Sequence, residues 1–150
     1  MHHQLISDFL EQLSARTPAP GGGASAALHA AQAAALLGMV ARYSDGPKYA
    51  EHEKLISRLL AETDRLRAEA LQLAQDDAIA FGVVAQAYRL PKATASEKTA
   101  RSEAIAHALI GAAQPPARIV EVTARLAALA EELLPIGNRN VLSDVAAAAE

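Results

Sequence analysis

The sequence predicts an all-α protein, an antiparallel bundle of long helices forming one domain over residues 1–150. Three observations support this prediction. Apolar residues recur in steps of three and four along most of the chain, which is the spacing of one face of an α-helix. No segment alternates apolar and polar residues as a half-buried strand does. The breaks between periodic segments are short and rich in Pro or Gly, so consecutive helices are expected to lie side by side.

The composition narrows the functions open to the chain. Its 150 residues are 51% apolar but only 3% aromatic, so alanine and leucine must form most of the core. Fourteen Lys and Arg against 17 Asp and Glu give a net charge of -3 without a basic cluster, which disfavours nucleic acid as a partner. The absence of cysteine excludes disulfides and thiolate catalysis.

Location is predicted from the N-terminal sequence and from the apolar run after Gly23. Residues 1–4 lack the charged start and apolar segment of a secretory signal. Polar residues interrupt the apolar run too often for a membrane span. We therefore expect a cytoplasmic protein that does not bind membranes.

The first two helices are predicted over 4–14 and 24–44. The first has apolar residues at helical spacing and ends at a proline-glycine segment. The second carries almost nothing larger than alanine over its first half, so it can lie deep between neighbours. It ends near Asp45-Gly46-Pro47, a turn sequence.

The third helix, over about 49–90, has the most regular pattern in the chain. Its stripe comprises Ile56, Leu59, Thr63, Leu66, Ala70, Leu73, Asp77, Ala80, Val84 and Ala87. A straight helix of this extent is about 60 Å long, whereas a compact domain of this size is about 40 Å across. Either the helix kinks near Gly82 or a partner subunit covers the part that protrudes.

Three more helices complete the prediction. The fourth covers about 97–114 with Ser96 as its cap, and His107 lies on its surface. Pro115-Pro116 separates it from a fifth helix that ends near Pro135. Asn140 is predicted to cap a short final helix.

The segment Thr17–Gly23 is the first candidate site. Its prolines forbid a helix, its three glycines leave the backbone accessible, and a helix begins directly afterwards. The first N–H groups of a helix have no partner within it, so they are able to bind an anionic or carbonyl-bearing ligand. The alternative is an ordinary loop.

Polar residues on the predicted helices give further candidates. Ser25, His29 and Gln32 share one face of the second helix, either as a solvated stripe or as the wall of a pocket. Asp77 lies on the apolar stripe of the third helix, whereas Asp76 does not. A carboxylate facing the interior needs a partner or a function, so the alternatives are an ion pair, a capping contact and a catalytic role.

The connections carry the remaining candidates. Lys92 follows a proline between the third and fourth helices, where it is either solvated or poised to bind an anion or relay a proton. Asp144 lies in the first turns of the last helix, where it suits the helix dipole. The polar residues around it either cap that helix or bind a polar heterocycle. The sequence has no convincing metal-ligand, Rossmann or P-loop spacing.

Four motifs in this order resemble the cyclodeaminase/cyclohydrolase family, which includes the C-terminal domain of formiminotransferase-cyclodeaminase and bacterial methenyltetrahydrofolate cyclohydrolases. The motifs are Thr17–Gly23, Asp77–Phe81, Leu90–Lys92 and Gly137–Val145. The resemblance implies an all-helical homodimer that acts on one-carbon units of tetrahydrofolate, with folate as substrate and no tightly bound cofactor or metal.

The resemblance also implies roles for residues. Asp77, Lys92 and Asp144 match charged motif positions: Asp77 or Asp144 would transfer the proton, and Lys92 would bind or polarise the substrate. The predicted substrate-binding residues are Gly21, Gly22, Gly23, Ser25, Asn138, Asn140 and Ser143.

The sequence departs from the family pattern in three places, and two of them, Ala24 and the short C-terminus, favour an alternative, a helical dimerisation or ligand-binding protein without activity. Ala24 stands where family members often have serine, and His29 and Gln32 occupy a helix usually filled with small apolar residues. The family usually continues for further helices beyond the position of Glu150. We expect a domain without its last helices, with an apolar face that another subunit covers unless the chain continues.

Overall fold

A computed structural model describes residues 4–149, which form six α-helices and two 3-10 turns and contain no strand. The helices are α1 (Ile6–Ser14), α2 (Gly22–Arg42), α3 (Glu53–Tyr88), α4 (Ala95–Ala112), α5 (Gln114–Leu133) and α6 (Leu142–Ala149). The 3-10 turns Pro47–His52 and Arg139–Val141 precede α3 and α6. The all-α prediction is confirmed. The segment 1–3, used above to argue against a secretory signal, lies outside the described residues.

Helix α2 lies at the centre of the bundle and packs against α3, α5 and α6. Its buried residues are mostly alanines, such as Ala27 and Ala34, whose small side chains let the neighbouring helices approach closely. Larger core residues come from the facing stripes of α3 and α5: Leu59, Leu66, Leu126, Leu129 and Leu133. The periodicity of the third helix therefore predicted most of its buried residues correctly.

Helix α2 is also the one helix within residues 4–149 that is long and apolar enough to cross a membrane. That property concerns length and composition alone, and a core helix shares it. Half of the most apolar window of α2 is buried within the bundle.

Helix α3 runs for 36 residues without a break at Gly82, a length of about 54 Å. Its last part pairs with α4 in a helical hairpin, and we call residues 79–112 the arm. A small core of Val84, Ala87 and Ala108 holds the two helices of the arm together. Many larger apolar side chains of the arm are exposed: Ile79, Phe81, Val83, Tyr88, Leu90, Leu109 and Ile110. The helix is continuous through Gly82, and the other predicted alternative, cover by a partner subunit, stays a prediction.

Ion pairs join α3 to α5 along the surface of the bundle. Arg125 Nε lies 2.7 Å from Glu62 Oε1, and Arg118 Nε lies 2.6 Å from Glu69 Oε1. Arg58 pairs with Glu132. The hydrogen bond from the Arg125 guanidinium lowers the pKa of Glu62, more than partial burial raises it.

Two helix starts differ from their predicted positions. Gly22 and Gly23 are the first residues of α2 and not part of the preceding loop. Helix α4 begins at Ala95, and its cap is Thr94, not Ser96. The Thr94 hydroxyl accepts a hydrogen bond from the Glu97 N–H, and the Glu97 carboxylate accepts one from the Thr94 N–H. This reciprocal pair stabilises the helix start more than a single serine does.

The start of the last helix also differs from prediction. The Asn138 side chain, not that of Asn140, accepts the capping hydrogen bond, and it does so from the Asn140 N–H at 3.0 Å. The 3-10 turn that follows leads into α6 at Leu142. Asp144 lies in the first turn of α6, as predicted.

Candidate active site

The start of α2 and the side chain of Asp77 are in direct contact. Because Gly23 has no side chain, the Asp77 carboxylate lies against its Cα. A Cβ added to Gly23 would lie 2.5 Å from Asp77 Cγ, closer than real Cβ atoms approach other atoms. A Cβ added to Gly21 or Gly22 would meet nothing within 4 Å. The structure therefore brings together the glycine segment and the Asp77 motif, which are separated by more than fifty positions in the sequence.

The environment of Asp77 suits a reactive carboxylate. The side chain is partly buried, and it accepts no hydrogen bond from another group within residues 4–149. No side chain caps the start of α2, so its first N–H groups are also available to a ligand. The positive end of the α2 dipole attracts the negative charge of Asp77. A ligand bound here meets a carboxylate and free N–H donors side by side.

The neighbouring carboxylate of Asp76 lies on a different side of α3. It accepts a hydrogen bond from Gln72 Nε2 at 2.9 Å. It lines an open surface depression together with Gln114 and Arg118. The prediction that only one of the two aspartates faces the bundle interior agrees with this arrangement.

Ser25, His29 and Gln32 line a cavity between α1 and α2. Its volume is about 120 Å³, and Phe9 of α1 and Leu71 of α3 complete its wall. Ser25 follows Gly23 by two positions, about 200° around the helix, so it faces away from Asp77. His29 and Gln32 are exposed, as a solvated stripe requires, although they also line this depression, and the depression is separate from the contact of Gly23 with Asp77.

The motif that contains Asn138 lies at the other end of α2. The Asn138 N–H donates to Ser44 Oγ at 2.8 Å, and its Nδ2 donates to the Tyr43 carbonyl at 2.9 Å. Helix α2 has 21 residues, so this end is about 30 Å from Gly22. Asn138 therefore lies far from Asp77 within one subunit, and both Asn138 and Asn140 take part in local hydrogen bonds. Helix α6, which carries Ser143 and Asp144, packs back along α2.

Lys92 lies on the exposed connection at the tip of the arm. It forms no ion pair with any residue between 4 and 149. Tyr88, the last residue of α3, is already about 16 Å from Asp77 along the helix axis. Lys92 therefore does not reach the Asp77 carboxylate of its own subunit.

Sequence reasoning missed the role of Ser44. Its hydroxyl is fully buried, donates to the Val40 carbonyl at 2.7 Å and accepts from Asn138, so it joins α2 to the turn before α6. A cavity of about 440 Å³ opens beside it, lined also by Arg42, Tyr49 and Glu53. No local signal identifies this contact, because the two partners are 94 positions apart.

Residues 4–149 contain no group of three His, Asp or Glu side chains placed to hold a metal ion. The described site consists of a helix start, a carboxylate and exposed backbone donors. Its chemistry is that of hydrogen bonding and proton transfer.

The chain is an all-α bundle. Its central helix begins with glycines, and one of these glycines packs against a carboxylate. Residues 5–150 match the family model described as formiminotransferase-cyclodeaminase. The chain belongs to that family.

Named relatives extend the comparison. The chain is 38% identical to a methenyltetrahydrofolate cyclohydrolase of Methylorubrum extorquens, over 97% of this chain and 71% of that protein. It is 34% identical to the formimidoyltransferase-cyclodeaminase of Mus musculus, over 97% of this chain but only 27% of that protein. The structure superimposes on formiminotetrahydrofolate cyclodeaminase from Thermotoga maritima with a TM-score of 0.84 and 30% identity, covering 98% of this chain and 70% of the other.

Proposed function

We propose that this protein is an enzyme of folate one-carbon metabolism. It interconverts one-carbon adducts of tetrahydrofolate, either by cyclodeamination of formiminotetrahydrofolate or by hydrolysis of methenyltetrahydrofolate. The names of its relatives support this proposal at the level of substrate and reaction type. The observation that carries it in this chain is the unpaired Asp77 carboxylate against Gly23 at an uncapped helix start.

Both reactions require a proton to move at the bridging carbon. In cyclodeamination, N10 of the folate attacks the formimino carbon on N5, and the bond from that carbon to the leaving nitrogen breaks once the nitrogen is protonated. Ammonia then departs and the methenyl bridge remains. Asp77 is positioned to carry the proton to the leaving nitrogen.

In hydrolysis, water adds to the bridging carbon of the methenyl cation. A base takes one proton from the water, and cleavage of a carbon–nitrogen bond then leaves a formyl group on the folate. Asp77 is positioned to act as this base, and its negative charge stabilises the cationic substrate. The N–H groups at the start of α2 are suited to a carbonyl or anionic group of the folate.

The protein acts as a homodimer in this proposal, and it needs no tightly bound cofactor. The exposed apolar residues of the arm support the homodimer, because an apolar patch of this kind is typical of an interface. Ser143 and Asp144 keep their predicted roles in this proposal. Asn138 and Asn140 keep theirs only where another subunit brings them to a site, since α2 separates them from Asp77 within one subunit. Lys92 is subject to the same condition.

Two assays with a matched pair of variants test the proposal. One follows the loss of methenyltetrahydrofolate absorbance, and the other follows ammonia release from formiminotetrahydrofolate. Wild-type protein is expected to accelerate at least one of them, and Asp77→Asn to lower that rate about 10²- to 10⁴-fold, the usual contribution of a general acid or base. Asp76→Asn, its neighbour on a different side of α3, is expected to stay within about twofold of wild type. Wild-type protein without activity in either assay, or Asp77→Asn with undiminished turnover, contradicts the proposal.

A further inference from the structure

The connection between α3 and α4 is held by hydrogen bonds on both sides of Lys92. The first two N–H groups after α3 donate to carbonyls of the last turn of that helix. Pro91 follows, and its ring fixes its φ angle. Beyond the lysine, the N–H groups of Ala93 and Thr94 both donate to Glu97 Oε2 at 2.8 Å. Lys92 therefore stands on a short segment whose backbone is restricted before and after it.

Glu97 accepts one hydrogen bond more than helix capping requires. A capping box needs only the bond from the N-cap residue, which is Thr94 here. The Ala93 N–H is an additional donor, and it belongs to the peptide bond that joins Lys92 to Ala93. Because a peptide bond is planar, holding this N–H also fixes the orientation of the Lys92 carbonyl. The Glu97 carboxylate thus restricts the backbone of the lysine itself.

A second residue of α4 holds the other side of the connection. Arg101 Nη2 donates to the Tyr88 carbonyl at 3.1 Å, and the guanidinium carbon lies 5.5 Å from the centre of the Tyr88 ring. Arg101 follows Glu97 by four positions, so the two side chains share one face of α4. This face contacts the end of α3 with one side chain and the backbone after Lys92 with the other.

We propose that Glu97 is a positioning residue for Lys92, because its carboxylate fixes the backbone from which the lysine side chain extends to the substrate. This proposal rests on the proposed function, in which Lys92 binds or polarises the folate, and adds the residue that places the lysine. The entropy of ordering this segment is then lost when the protein folds and not when the substrate binds.

Glu97 holds Lys92 without neutralising its charge. The hydrogen bond from the Thr94 N–H keeps the pKa of Glu97 below its ordinary value of 4.5, so the carboxylate is ionised at neutral pH. Hydrogen bonds to an ionised acceptor are stronger than those between neutral groups. Lys92 itself forms no ion pair within the described residues 4–149. Its ammonium group is therefore available to an anionic or carbonyl group of the folate.

A double-mutant cycle tests the positioning role. Lys92→Ala is expected to lower kcat/KM by about 10- to 100-fold, which corresponds to losing one hydrogen bond from a charged group. Glu97→Ala is expected to lower it by about 10-fold, because the lysine is misplaced. In the Lys92→Ala background, adding Glu97→Ala should change kcat/KM by less than about twofold, since no ammonium group is left to position. Losses that simply add would overturn the proposal.

Two variants of the same helix start are matched controls. Glu97→Gln keeps a side-chain oxygen that accepts hydrogen bonds, so it should stay within about threefold of wild-type kcat/KM. Thr94→Ala removes the hydroxyl that accepts from the Glu97 N–H and should lower the melting temperature, while kcat/KM stays within about twofold of wild type. An equal loss of activity in Thr94→Ala and Glu97→Ala would mean that the pair only stabilises α4.

Backbone NMR relaxation tests the position of the lysine without using activity. The order parameters of the Lys92 and Ala93 amides are expected to be about 0.85 in wild-type protein, as in rigid backbone, and to fall below about 0.6 in Glu97→Ala. A mobile Lys92 amide in wild-type protein contradicts the proposal. The same order parameters in wild type and Glu97→Ala contradict it too.

Failure of this proposal is distinguishable from failure of the proposed function. Lys92→Ala protein with wild-type activity leaves nothing for Glu97 to position and overturns the positioning role. The proposed function still stands in that case, as long as wild-type protein is active and Asp77→Asn is not. A wild-type protein without folate activity contradicts the proposed function instead.

Discussion

The body of the bundle and the arm differ in how they are held together, although α3 runs through both. In the body, α2 is surrounded by α3, α5 and α6, leucines fill the space between them, and ion pairs join α3 to α5. The arm consists of two helices only, the end of α3 and α4, and its small core comprises Val84, Ala87 and Ala108. The comparison teaches that one regular helix can be a core element of the bundle along most of its length and, along the rest, pair with a single helix and leave its other sides exposed.

The candidate active site lies at the boundary between these two regions. Asp77 is the point at which α2 stops covering α3, so its carboxylate is supported by Gly23 on one side and open on the other. A carboxylate placed deeper would need a buried partner, and one placed farther along the arm would be fully solvated. At this boundary the Asp77 carboxylate is held in a fixed position and is still accessible to a ligand.

The largest expected effect concerns the core of the body. Leu66→Ala removes a side chain that is 1% exposed, and it should lower the free energy of unfolding by about 2–5 kcal/mol because it leaves a cavity. Urea unfolding measures this change. Leu134→Ala, at a position that is 52% exposed, is the matched control and should have little effect. A similar loss in both variants would contradict the assignment of the core.

The hydrogen bond that joins Asn138 to Ser44, at the end of α2, comes next. Ser44→Ala removes the acceptor of the Asn138 N–H and should cost about 1–3 kcal/mol of unfolding free energy, since that donor is left without its partner. Thermal and urea unfolding measure the cost. The exposed Ser57→Ala is the control. If both serines can be replaced without loss, the hydrogen bond does not stabilise the fold.

A substitution in the core of the arm should destabilise the arm more than the body of the bundle. Val84→Ala removes two methyl groups from the small core of the arm and is expected to lower the free energy of unfolding by about 1–2 kcal/mol. Amide hydrogen exchange should quicken in α4 and the end of α3 while the centre of α2 keeps its protection. Val120→Ala, which is 67% exposed, serves as the control. Faster exchange throughout the protein would mean that the arm and the body unfold as one unit.

The smallest expected effect concerns the ion pairs of the body. The Arg125 guanidinium holds the pKa of Glu62 below its ordinary value of 4.5, so this pair stabilises the folded state above that pH and stops doing so as pH falls through the lowered pKa. Glu62→Gln should cost about 0.5–1 kcal/mol at pH 7, after allowing for screening by solvent, and less at pH 3. Urea unfolding at both pH values checks the difference.

The control for that experiment is Glu131→Gln, an exposed glutamate without an ion pair among residues 4–149. It should show no such pH dependence. A cost for Glu62→Gln that is the same at pH 7 and pH 3 would contradict the role given to the pair.

Much of the fold follows from local sequence patterns. The stepping of apolar residues predicted the stripe of α3 and placed Asp77 on it, because the helical period fixes which side chains share a face. The predicted cap Ser96 is wrong, although the sequence carries the signal for Thr94, because Glu97 stands three residues later in a capping-box pattern. The first residue of a helix is difficult to predict from sequence where several glycines or polar residues are adjacent. Helix α2, which begins at Gly22, is an example.

The site depended on contacts that the sequence does not encode locally. The approach of Asp77 to Gly23 follows from how α2 and α3 pack, and the bond from Asn138 to Ser44 joins segments 94 positions apart. The family motifs identified the polar residues, but only the arrangement of helices shows that Gly23 touches Asp77 whereas Asn138 lies at the other end of α2, about 30 Å away. The roles of the distant residues remain predictions.

The most direct test of the site compares two neighbouring glycines. Turnover of the folate substrate is measured for Gly23→Ala and Gly22→Ala, since only the first places a methyl group against the Asp77 carboxylate. Displacing that carboxylate should lower kcat/KM by about 10- to 100-fold in Gly23→Ala, while Gly22→Ala should stay within about threefold of wild type. Equal activities in the two variants would contradict the claim that Asp77, held against Gly23, carries the reaction.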